Sequence, residues 1–253
     1  MKDIKFSKIM KNGKAIYLAY DQGLEHGPSM DFNDKNADPL YILDIAKKGR
    51  FQGVVFQKGI AEKYNKEIRR SKVPLIIKLN GKTKLSNEEP LSEPICTVEE
   101  AIKLGASAVG FTIYLGSKYE PHMFKHFAEI VKKAHEKGLP VILWSYPRGK
   151  SVKNPNSKEN MAYAARTGLE LGADIVKINY NGNAEDLKWA VKSAGRCKVV
   201  IAGGIKKEGK EFLKDVRKII KAGASGLAIG RNVWQSKKPL ELTREIKKVV
   251  FKK

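Results

Sequence analysis

Short apolar runs, rich in β-branched residues, recur along the chain at intervals of roughly 20 to 40 residues. Between them, apolar positions repeat with a helical period. The runs predict strands at 15–20, 53–57, 74–79, 107–113, 140–145, 173–178, 198–202 and 225–229. Each is short, apolar and mostly bounded by Gly or Pro, the pattern of a parallel sheet covered by helices on its faces. The intervening segments carry helix signals. Thr97-Val98-Glu99-Glu100 reads as a capping box, opening a helix that stops at Gly105. Residues 122–137 place Phe127, Ile130, Val131 and Ala134 on one face and end at Gly138. Three joints share a Gly-Ala pair: Leu104-Gly105-Ala106, Leu171-Gly172-Ala173 and Ala222-Gly223-Ala224. Each is a glycine cap leading straight into a strand. Eight strand–helix units predict an α/β fold, a closed (β/α)8 TIM barrel forming a single domain over residues 1–253. An open doubly wound sheet would need a GxGxxG turn after the first strand, and the chain has none.

A length of 253 residues suits one such barrel, and 42% hydrophobic with 30% charged residues gives enough material for a core. No apolar run approaches the roughly 20 residues of a membrane span. The first residues lack the apolar stretch of a secretory signal. Cys96 and Cys197 form no CxxC motif and read as free thiols, which favours a cytoplasmic setting. The formal charge is +22, from 49 Lys and Arg against 27 Asp and Glu. Such a charge raises the question of nucleic acid, but only nine of the 49 cations are arginine and they form no basic tail. No nucleic-acid partner is expected. The charge reads as a lysine-rich surface, with a few cations placed to hold a phosphorylated, anionic substrate.

The long loops follow the first, third and fifth strands, whereas the helix-to-strand joints are short. The chemistry is therefore expected at the carboxyl ends of the strands. The first strand runs into Asp21-Gln22-Gly23-Leu24-Glu25-His26-Gly27-Pro28, with three ionisable groups between two glycines. A turn alone could account for Asp21 and the glycines, and His26 could cap the loop. Close backbone approach to a ligand explains the cluster better. The fifth strand ends in Trp144-Ser145-Tyr146-Pro147-Arg148-Gly149. Tyr146 there can be a general acid/base or a tyrosine hydrogen-bonded at the rim. Arg148, between Pro and Gly, can clamp a phosphate. The sixth strand holds Lys177 among Ile175, Val176 and Ile178. A lysine buried there must be paired, neutral, or able to reach the mouth. A desolvated, neutral lysine is a nucleophile for carbonyl carbon. Lys58 and Lys78 also stand near strand ends. Gly203-Gly204 after the seventh strand and Gly230-Arg231-Asn232 after the eighth suit phosphate binding by backbone N–H groups. His122 and His126 have i, i+4 spacing but no Cys or acidic cluster beside them in sequence. They read as solvated, and no metal is assigned.

Taken together, the motifs at the first, fifth, sixth, seventh and eighth strands resemble the archaeal-type class I fructose-1,6-bisphosphate aldolases, over residues from about 15 to 250. The resemblance implies that Lys177 forms the Schiff base, Tyr146 is the acid/base, and Asp21 assists proton transfer. It implies that Trp144 shapes the pocket and that Gly203, Gly204, Gly230 and Arg231 hold the phosphate of the dihydroxyacetone phosphate half. His26 and Arg148 would face the aldehyde half. It further implies no metal or other cofactor, and a homo-oligomer, often a decamer, serving glycolysis and gluconeogenesis. Two alternatives share parts of the pattern. One is a related Schiff-base aldolase making an aminodideoxyheptulosonate precursor of aromatic amino acids. The other is a non-catalytic barrel that binds phosphometabolites.

Overall fold

The eight apolar runs form the staves of a closed barrel: β1 (Ala15–Ala19), β2 (Gly53–Gln57), β3 (Leu75–Lys78), β4 (Ala106–Leu115), β5 (Val141–Pro147), β6 (Ile175–Ile178), β7 (Lys198–Ala202) and β8 (Gly226–Ile229). The structure is a computed structural model and describes residues 3–27 and 32–252. Each strand pairs in parallel with its sequence neighbour, and β1 closes the ring against β8 through Ala15↔Gly226 to Leu18↔Ile229. Apart from the first two residues of β4 and the two ends of β7, every strand residue is buried. That burial explains why the runs are apolar throughout rather than alternating.

The joints behave as the sequence suggests. Gly105, Gly172 and Gly223 take left-handed φ angles of 90°, 79° and 98°. The capping box is present, with Glu100 N donating to Thr97 Oγ1 at 3.1 Å and Thr97 N to Glu100 Oε2 at 2.8 Å. The predicted helix over 122–137 spans Glu120–Glu136; Met123, Phe127, Ile130 and Ala134 are its buried face, and Val131 is half-buried.

Most strand boundaries shift by one or two residues, and two of the shifts have a clear local reason. β5 runs on to Pro147, because Tyr114 and Leu115 of β4 continue the ladder to Tyr146 and Pro147. Tyr146 is thus a strand residue and not part of the following loop. β6 begins at Ile175, because Asp174 serves the joint below it. Its N–H donates to the Val141 carbonyl, and its carboxylate accepts from Val141 N at 2.8 Å and bonds His135 Nε2 at 2.9 Å. The loop after β1 contains a short helix, Gln22–His26, while Pro28 lies outside the described residues. The loop after β3 contains an antiparallel ribbon pairing Asn80–Gly81 with Glu93–Pro94. Its base is fixed by Asn80, fully buried, whose amide donates to the Ser92 and Thr112 carbonyls and accepts from Thr112 N. The ribbon also brings Glu93 against His122 and His126, so these histidines are not unaccompanied.

Glu89 joins three loops. Its buried carboxylate accepts from Lys118 N after β4 and from Lys150 N after β5, at 3.1 and 3.2 Å. Both cysteines are free and buried, and burial pushes their thiols up, to about 11 for Cys96 and about 12 for Cys197. Among the described residues no helix is long and apolar enough to cross a membrane.

Candidate active site

The carboxyl ends of the strands surround a cavity of about 450 Å³. Asp21 and His26 enter it from the loop after β1, and Trp144, Tyr146 and Arg148 from β5 and its end. Lys177 enters from β6. Gly203, Gly204, Gly230 and Arg231 border it from the loops after β7 and β8. All ten residues expected at the mouth therefore border one space.

Lys177 is paired in register with Trp144 across β5 and β6, so the two side chains leave the sheet together. Its Nζ stands 4.9 Å from the centroid of the Trp144 ring and has no ion-pair partner among the described residues. Burial lowers its pKa from the ordinary value; the Asp21 and Glu25 carboxylates oppose that shift, and the Arg148 guanidinium adds to it. Desolvation, expected from the sequence, is the main cause and the Arg148 cation adds to it, but the two opposing acids were not foreseen.

Those acids are occupied by a second lysine. Lys78, the last residue of β3 and only 1% exposed, places its Nζ 3.7 Å from Asp21 Oδ2 and 3.4 Å from Glu25 Oε1. Burial alone would raise the Glu25 pKa, but the Lys78 ammonium and the Arg148 guanidinium hold it below the usual value. Lys58, the other strand-end lysine, turns away to an ion pair with Glu100 and does not border the cavity.

Tyr146 is 6% exposed. Burial raises its pKa above the ordinary value near 10; Arg148 pulls it back, while Asp21 and Glu25 add to the rise. The phenol is therefore neutral at physiological pH. The Arg148 guanidinium lies 4.8 Å from the centre of the Tyr146 ring and 5.8 Å from that of Tyr114, so the aromatic faces hold the cation at the rim.

At the end of β7, Gly203 and Gly204 have different tasks. The Gly203 N–H is committed to the Ala228 carbonyl at 3.2 Å, which corrects the expectation that both glycines offer free donors. Gly204 has a φ of 67°, and a Cβ there would meet no atom within 4 Å, so its backbone turns into open space. The Arg231 Nη2 lies 3.4 Å from the Gly204 carbonyl. Asn232, buried, locks the two loops together: its amide donates to the Gly203 and Ile205 carbonyls and accepts from Lys207 N.

Sequence reading gave no role to Lys78 as an ion-pair partner, to Glu25, to Asn232 or to Gly110. A Cβ on Gly110 would lie 2.0 Å from Trp144 Cζ3, so this glycine makes the space in which the indole sits. Its only signal in sequence was an unexplained glycine inside the fourth apolar run.

Comparison with known proteins agrees with this geometry. The model of the DeoC/LacD family aldolases matches residues 15–236. The class 1 fructose-bisphosphate aldolase of Thermoproteus tenax is 52% identical over 251 residues, covering 98% of this chain and 94% of that protein. The fructose-bisphosphate aldolase/6-deoxy-5-ketofructose 1-phosphate synthase of Methanocaldococcus jannaschii is 38% identical, covering 91% of this chain and 78% of that protein. An archaeal fructose-1,6-bisphosphate aldolase, solved with its catalytic lysine covalently bound to the carbinolamine intermediate of the substrate, superposes with a TM-score of 0.91. That structure shares 50% identity and covers 97% of this chain and 98% of its own. The barrel as a whole thus has close counterparts among fructose-bisphosphate aldolases, and the chain belongs to the DeoC/LacD aldolase family, beside the class 1 fructose-bisphosphate aldolases.

Proposed function

We propose that the protein is a class I aldolase that cleaves fructose 1,6-bisphosphate reversibly to dihydroxyacetone phosphate and glyceraldehyde 3-phosphate. The observation that carries this reading is Lys177: buried, without an ion pair among the described residues, and facing a cavity that also holds a neutral phenol. A free amine in that position attacks the C2 carbonyl of the open-chain sugar. The carbinolamine loses water to give a protonated imine, and the cation so formed lies over the Trp144 face, where the ring quadrupole stabilises it. A base then takes the C4 hydroxyl proton and the C3–C4 bond breaks, its electron pair passing into the iminium. Asp21, which borders the cavity and pairs with Lys78, would assist that transfer. Glyceraldehyde 3-phosphate leaves. Tyr146 gives its proton to C3 of the enamine, and Arg148 offsets the phenolate this creates. Hydrolysis frees dihydroxyacetone phosphate and restores Lys177.

Arg231, with the backbone around Gly204 and Gly230, would hold the phosphate of the dihydroxyacetone half; His26 and Arg148 would face the aldehyde half. We place the enzyme in the cytoplasm, in glycolysis and gluconeogenesis, as a homo-oligomer of up to ten copies. Tyr163 and Trp189, exposed on helices Lys158–Glu170 and Ala184–Ser193, offer apolar surface for such assembly, and sedimentation measures it.

Borohydride trapping tests the central claim. With dihydroxyacetone phosphate present, sodium borohydride should inactivate the protein irreversibly, with the mass adduct on Lys177. Lys177→Arg should lower kcat on the order of 10⁴-fold or more, because a guanidinium cannot form the imine. Tyr146→Phe should keep the adduct yet lose about 10²- to 10⁴-fold in turnover. An adduct on Lys78 or Lys58, or full activity without any adduct, would overturn the reading.

A further inference from the structure

The geometry points to a second site, on the outside of the barrel: a divalent transition-metal site formed by Glu93, His122 and His126. His122 and His126 stand one turn apart near the start of helix Glu120–Glu136, whose rotation is fixed by the buried Met123 and Phe127 beside them. Glu93 comes from the ribbon after β3, where it pairs with Gly81. The two histidines are thus presented by one regular element and the carboxylate by another.

Two imidazole nitrogens and the two oxygens of one carboxylate already converge. His122 Nε2 lies 3.0 Å from Glu93 Oε1 and 3.0 Å from His126 Nε2, and His126 Nε2 lies 3.5 Å from Glu93 Oε2. Ligands held about 2.0–2.2 Å from a tetrahedral zinc stand roughly 3.3 Å from one another. The observed edges bracket that value. The imidazole rings meet at 89°, so both nitrogens converge without the rings colliding.

Protons alone satisfy this cluster only in part. If His122 Nε2 carries the proton and donates it to Glu93, the His126 nitrogen can only bring a lone pair to that same N–H. If His126 donates to His122, the His122 lone pair faces the carboxylate. If both nitrogens are protonated, each can donate to a Glu93 oxygen, but the two N–H groups then stand side by side at 3.0 Å. A cation accepts all three lone pairs at once. Two imidazole nitrogens with one carboxylate suit Zn²⁺, Ni²⁺ or Cu²⁺ and do not suit Mg²⁺ or Ca²⁺, which favour oxygen ligands. The half-exposed setting leaves room for a water as fourth ligand. None of the three residues borders the catalytic cavity, so a metal here clips the ribbon after β3 to the helix after β4 and takes no part in the chemistry.

The test titrates the full-length protein, stripped with EDTA and dialysed, with Co²⁺ and then Zn²⁺. One equivalent of Co²⁺ should give the intense visible absorption of low-coordinate cobalt, and Zn²⁺ should displace it. Zn²⁺ should raise Tm. In His126→Ala and in Glu93→Gln the affinity should fall by about tenfold or more, since a third of the protein donors is lost, and the Tm response should vanish. His135→Ala, which removes the histidine bonded to Asp174, should bind normally. No stoichiometric binding, equal affinity in His126→Ala, or loss of binding in His135→Ala instead would each overturn the site.

Discussion

Lys78 and Lys177 lie within reach of the same indole, 5.4 and 4.9 Å from the Trp144 ring centre, and both are almost fully buried. They face opposite electrostatic circumstances. Lys78 ends β3 beside two carboxylates and neutralises them. Lys177 stands in β6 with a desolvated amine and no such partner among the described residues. A buried cation with two counter-ions is a structural part, whereas a buried amine without one is reactive. The difference between the two lysines is made by what the loop after β1 sets against each, because Asp21 and Glu25 both come from it.

The sharpest way to break this comparison is to remove the ammonium from Lys78. Lys78→Met leaves Asp21 and Glu25 buried without their cation and should cost about 3–5 kcal/mol in stability, read by denaturant unfolding. Borohydride should still label Lys177 in whatever fraction folds. A Lys78→Met protein as stable as the wild type would make the two lysines equivalent.

The matching change at Lys177 should act in the opposite direction. Its folded pKa lies below the ordinary value of 10.5, so between the two values the folded chain binds fewer protons than the unfolded one. Stability of the wild type then falls as pH drops from about 10.5 through that window and levels off below the folded pKa. The slope contributed by one group is at most about 1.4 kcal/mol per pH unit. Lys177→Met removes this contribution and should be more stable than the wild type at neutral pH, with the gain shrinking as pH approaches 10.5. Unfolding midpoints measured across pH 7 to about 10 check the sign.

The smallest expected effect is none. Exhaustive chelation should leave cleavage of fructose 1,6-bisphosphate unchanged, because the iminium on Lys177 performs the electron withdrawal. Loss of turnover with EDTA, restored by Zn²⁺, would make that lysine a spectator and move the chemistry to a Lewis acid.

The eight strands could be read from the sequence because full burial makes each a continuous apolar run, and because a glycine cap marks the joint before several of them. The ends of β5 and β6 were misplaced, since they depend on partners: Tyr146 continues a strand because Tyr114 lies opposite, and Asp174 leaves one to bond His135 and Val141. All ten expected site residues border the cavity because strand ends announce themselves as polar breaks after apolar runs. The pairing of Lys78 with Glu25 spans 53 residues, and no local pattern encodes it. The same holds for Gly110, whose purpose is visible only once Trp144 stands over it.

The Glu89 carboxylate has a consequence for how this barrel can be varied. It gathers backbone donors from the segments after β4 and β5 while itself belonging to the loop after β3. Ser117 strengthens the same knot by donating its hydroxyl to the Pro90 carbonyl at 2.7 Å. Barrel enzymes are commonly diversified by exchanging one loop at a time on a fixed frame. Here three loops form one inheritable unit. Grafting any one of them from another barrel would strip donors from a buried carboxylate and loosen the chain two residues from Arg148, so specificity at this rim has to be recombined as a block.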